Sequence, residues 1–84
     1  MILSDGGGRL RLRADWITGS AARAIAVEDA VGAEVGVRAV HAYPRTASVV
    51  VWYSRTRTDR DTVVAAVEAV RDRPEPEIGS RTPR

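Results

Sequence analysis

Eighty-four residues allow one small domain, and with four aromatics, no Phe, 12 Val and 13 Ala, its core must be packed from small side chains. The absence of cysteine excludes disulfides, thiolate metal sites and a cysteine nucleophile. All 13 basic residues are Arg and face 11 acidic ones, so the net charge of +2 says less than its distribution: "RLRLR" at 9–13 is basic, whereas Glu28, Asp29 and Glu34 make the first helical region acidic.

Residues 1–8, "MILSDGGG", contain no basic region followed by a long apolar segment, which argues against a secretory signal, and the glycines read as a flexible lead-in. Residues 9–14 alternate strictly, with Leu10, Leu12 and Ala14 on one face and Arg9, Arg11 and Arg13 on the other, the pattern of a half-buried strand. After "DWITG", the spacing of Ala24, Val27, Ala30 and Val31 predicts a helix over roughly 20–34, capped by Ser20 or Thr18 and stopped by Gly36.

"VRAVHAY" and "SVVVWY", joined by a turn headed by Pro44, read as a hairpin. A second helix is expected from Thr58, with Asp61 in a capping-box relation and Val63, Val64, Val67 and Val70 as its apolar stripe. Residues 73–84 are proline-containing and nearly devoid of apolar side chains, a tail with room for a short edge strand near Glu77 and Ile78. The charge-free run "TASVVVWYS" between Arg45 and Arg55 is far shorter than the ~20 apolar residues that a membrane helix needs, so no membrane insertion is expected.

Taken together, the order predicts an α+β domain over 9–72: a ferredoxin-like βαββαβ sandwich, an antiparallel sheet with two helices on one face and a last strand that is short or absent.

From Arg9 to Val70 the chain resembles the heavy-metal-associated domain of metallochaperones and metal-exporting P-type ATPases. The phrases that carry the resemblance are "AVEDAVGAEVGVRAV", "HAYPRTASVVVWYS" and "TDRDTVVAAVEAV" in unbroken order. With "RLRLRADW" in front, the chain is similar to the N-terminal domain of actinobacterial C-type cation-transporting P-type ATPases. The resemblance implies a cytosolic, non-catalytic, regulatory or docking module of a plasma-membrane pump, with the tail leading toward a membrane region. The parent would use ATP and Mg to export a divalent metal, zinc or manganese, through phosphorylation of an aspartate outside this chain. Its implied partners are the parent's own cytosolic domains or a metal-delivering protein.

One departure matters most. The family holds Cu(I) or Zn(II) between two cysteines of a CxxC motif before the first helix, and counting back from Gly36 puts those positions at Ser20 and Arg23. A hydroxyl is a poor soft-metal ligand and a guanidinium repels a cation, so the resemblance implies a vacated site and no cofactor in this domain. Asp15, Glu28, Asp29 and His41 are the remaining candidate donors, but a lone His without ligand spacing makes a weak zinc site, and His41 reads as a solvated strand residue. No nucleophile–base arrangement and no phosphate loop after a strand is present, so no independent enzymatic activity is expected.

The face of the sheet turned away from the helices is the stronger candidate. With Val49, Val51 and Tyr53 inward, Val50 and Trp52 point outward, beside Arg9, Arg11 and Arg13, with His41 and Tyr43 beyond. Arg beside Trp makes a cation–π pair and an interaction anchor, while the bland alternative is that Arg stems shield apolar side chains. A stand-alone module binding protein or RNA through this Arg/Trp face is the alternative function. RNA-recognition domains stack bases on paired aromatics of the two central strands, where this chain has Leu and Arg, so nucleic acid is the weaker partner. Weak self-association through the open sheet is a third use. The loop from Trp16 to Arg23 is the alternative docking surface, although Trp16, at the end of the first strand, is expected to cap the core as a plug over the loop in preference to serving as a binding anchor.

Overall fold

The structure, a computed structural model, describes residues 2–73. Its elements are β1 (Ile2–Gly6), β2 (Arg9–Arg13), a single 3-10 turn (Asp15–Ile17), α1 (Ala21–Gly32), β3 (Val37–Tyr43), β4 (Ser48–Tyr53) and α2 (Arg60–Arg71). The fold is α+β: four strands in the order β1-β2-β4-β3, every neighbouring pair antiparallel, with both helices packed on one face, the ferredoxin-like arrangement.

β2 and β3 run parallel with β4 inserted between them, so β2-α1-β3 is a split crossover. The edge beside β2, where the βαββαβ order puts its last strand, is filled from the other end of the chain by β1. Residues 2–6, expected as a flexible lead-in, are therefore a strand. The cause is the glycine run: Gly7 and Gly8 take φ of +62° and +80° and form a two-residue loop between the paired Gly6 and Arg9, the geometry that right-twisted hairpins favour. The expected strand near Glu77 and Ile78 lies outside the described residues.

Each helix starts where a side-chain oxygen satisfies an orphan N–H. Ser20 Oγ accepts from the Arg23 N–H at 3.1 Å, and Asp59 Oδ1 accepts from the Thr62 N–H at 2.7 Å. The second cap is Asp59 and not Thr58, because the helix begins at Arg60 and it is the Asp59 carboxylate that reaches the Thr62 N–H. Val27 and Val31 of α1 and Val63, Val67 and Val70 of α2 lie against Leu10, Leu12, Val49 and Val51. Full burial of each such side chain is worth about 1.5–3 kcal/mol, which makes this layer the main source of stability.

The hairpin turn closes with the Thr46 N–H on the Tyr43 carbonyl at 3.2 Å, followed by Ala47 at φ +55°. That left-handed residue directs its carbonyl to the Ala14 N–H at 2.7 Å, tying the turn to the end of β2.

Candidate functional site

The open face is built from period-two alternation in four strands. Across it run three rows set by register: Gly6, Arg9, Trp52 and Ala39; then Ser4, Arg11, Val50 and His41; then Arg13, Ser48 and Tyr43. Each row carries one Arg, and no row contains a carboxylate. The sequence alternation "RLRLR" thus becomes a line of guanidinium groups along β2, one of the two central strands.

Trp52 is the centre of the aromatic part. The Arg9 guanidinium carbon lies 5.9 Å from its ring centroid, His41 meets it in a T-shaped contact at 5.4 Å, and His41 in turn stacks on Tyr43 at 6.2 Å. An exposed cation–π contact of this kind is worth about 0.5–1 kcal/mol. Trp52 is consequently half-buried although it points away from the core. Val50 also points outward, yet it is only 5% exposed, because Arg11 and His41 flank it on the neighbouring strands. The expectation of an open Val50 is corrected on that point: the face offers guanidinium and imidazole groups, with its aliphatic part covered.

The loop before α1 has a different character. The two positions that the CxxC motif would occupy are joined to each other, since the Ser20 side chain caps the Arg23 backbone. Asp15 pairs with Arg13 at 3.5 Å, with both side chains largely exposed. Hydroxyl and guanidinium at these positions do not fit a thiophilic cation, and among the described residues no cluster of three or more His, Asp or Glu could hold a metal ion. Trp16 is half-buried, packs on the core and walls a cleft with Ile2, Leu12, Val64 and Val67.

Two arrangements were not legible from the residues alone. Glu28, read as part of a wet helix face, reaches the sheet edge, where its Oε2 accepts from the Ala42 N–H at 2.9 Å. Asp5, in a segment read as a lead-in, accepts from the Tyr53 hydroxyl at 3.2 Å and pairs with Arg60 at 3.7 Å. Burial first, then the hydrogen bond and charge of Asp5, push the Tyr53 phenol above its ordinary pKa. The signal for β1 was present in the sequence: a Gly-Gly pair flanked by "ILSD" and an alternating strand is a hairpin pattern.

No family model matches the chain, and no solved structure matches it. Among curated proteins it is 60% identical over 67 residues to the zinc-exporting P-type ATPase of Mycobacterium marinum, a stretch that covers 80% of this chain and 9% of that protein. It is 55% identical over 67 residues to the manganese-exporting P-type ATPase of Mycobacterium tuberculosis and 48% identical to that of Mycobacterium leprae, again over 80% of this chain and 9% of each relative. The chain thus spans less than a tenth of the length of the curated relatives it matches. Over four-fifths of its own length, it is similar to one short stretch of metal-exporting P-type ATPases.

Proposed function

We propose that the chain is the N-terminal cytosolic module of a P-type ATPase that exports zinc or manganese, and that it works as a non-catalytic docking domain through the open face of its sheet. The observation that carries this reading is 60% identity to a metal exporter of which the chain spans only 9%, so that transport itself belongs to the remaining length. ATP, Mg and the transported cation are then used elsewhere in the parent, at the plasma membrane.

The loop geometry supports docking over metal capture. The donors near the former metal positions are engaged within the domain, Ser20 as a helix cap and Asp15 with Arg13. By contrast, Arg9, Arg11 and His41 are exposed on a rigid sheet, where orienting them costs little on binding.

An amide-resolved NMR titration tests the proposal. The chain is titrated first with Zn(II), Mn(II) and Cu(I), then with the cytosolic domains of the pump. The expected result is that metals leave residues 15–23 and 41 in place while the pump domains shift the amides of β2 and β4. Saturable metal shifts around Asp15 to Arg23 or at His41 would replace docking by metal sensing.

A further inference from the structure

The three rows of the open face hold three Arg and one His without a single carboxylate among them, and Asp15, paired with Arg13, stands at the end of the line. Arg9 and Arg11 form no ion pair among the described residues. We infer that this face binds an extended, carboxylate-rich polypeptide segment in which acidic residues alternate with small or polar ones. The inference rests on the docking reading above and names the chemistry of the partner.

Spacing leads to alternation. Successive Arg side chains on one face of β2 are two residues apart, about 6.6–6.8 Å along a strand, which is also the repeat of side chains on one face of an extended peptide. A carboxylate at every second position meets each guanidinium in turn, with the planar two-point geometry that Arg and carboxylate share. A contiguous acidic run, especially a helical one, would place most of its charges away from the line.

Covered apolar groups argue against the other anionic surfaces. A bilayer-docking face presents side chains that enter the interface, whereas Val50 is 5% exposed and Trp52 is held between Arg9 and His41. Single-stranded nucleic acid needs free aromatic planes on the central strands, and the one Trp there already carries Arg9 on its ring. Arg11 carries no ion pair among the described residues, while Arg9 rests on Trp52 and Arg13 pairs with Asp15 with its side chain still half-exposed, so the row of guanidinium groups stays open to a carboxylate-rich peptide.

The test follows amide shifts of the whole chain at low salt with four probes: a synthetic peptide of alternating Glu and Ser, an isomeric peptide with its Glu residues in one block, a single-stranded RNA, and vesicles containing anionic lipid. The alternating peptide is expected to bind saturably, with shifts confined to β2, β4 and His41, and to bind several-fold more tightly than the block isomer. Arg11→Ser, which uncovers Val50 locally and is expected to leave the helices and the inner face of the sheet unchanged, is expected to weaken it about fivefold, as is the addition of salt. Equal affinity for the block isomer, tighter binding of RNA or vesicles, or indifference to Arg11→Ser would overturn the inference. If the pump domains shift the face and the alternating peptide does not, docking stands and the acidic segment falls. If neither shifts it, both fall.

Discussion

The carboxylate of Glu28, on α1, accepts a 2.9 Å hydrogen bond from the backbone N–H of Ala42 on β3, an outer strand of the sheet. Exposed main-chain donors on an outer strand are templates for pairing with another chain, and here a helix side chain occupies one of them. Glu28→Ala is expected to cost about 1–2 kcal/mol and to raise hydrogen exchange at the Ala42 amide, whereas Glu28→Gln, which keeps an acceptor, loses less. Chemical denaturation of the three proteins, with exchange at that amide, checks it.

Tyr53 and Asp5 join the N-terminal strand to the body of the domain, and the phenol there is held above its ordinary pKa by burial and by the Asp5 carboxylate. Because the folded state holds the proton more tightly than the unfolded state, this contribution is complete below about pH 10 and is lost as pH rises beyond it. Urea denaturation from pH 8 upward is expected to show stability falling above about pH 10 in the parent chain and falling less in Tyr53→Phe. At neutral pH Tyr53→Phe costs about 1 kcal/mol.

The two central glycines of the first hairpin loop differ in what surrounds them. A Cβ on Gly8 would stand 2.6 Å from the Tyr53 carbonyl oxygen, whereas a Cβ on Gly7 meets nothing within 4 Å. Both have positive φ, so Gly7→Ala pays the left-handed cost alone, about 1–2 kcal/mol. Gly8→Ala adds to that cost the displacement of a backbone and is expected to push the start of β2 off the end of β4, where the Tyr53 N–H donates to the Gly8 carbonyl at 2.8 Å. Thermal melts should rank Gly8→Ala well below Gly7→Ala.

Asp59 caps α2 through the Thr62 N–H, and that bond, with the Thr62 side chain second, lowers its carboxyl pKa. A carboxyl whose pKa is depressed on folding stabilises above its unfolded value of 3.8 and ceases to do so as pH falls through the folded one. Asp59→Asn keeps an acceptor and should flatten the loss of helix signal on acidification, and Asp59→Ala should weaken α2 at all pH values. Circular dichroism against pH distinguishes the three.

Periodicity by itself determined most of this protein. The alternation of residues 9–14 assigned Arg and Leu to opposite faces of a strand, and the valine spacings assigned both helices, because side-chain direction follows backbone period before any partner is present. The open Arg/Trp face was legible for the same reason, once the split crossover made β2 and β4 neighbours. Tertiary structure decided what depends on distance between segments far apart in the chain. It turned Asp5, on a strand whose Gly-Gly hairpin signal the sequence already carried, into the partner of Tyr53 and Arg60. It also brought Glu28 to the edge of β3 and covered Val50 with its cross-strand neighbours. A carboxylate's role is set by which donor lies within hydrogen-bond reach, and only the packed chain brings that donor there.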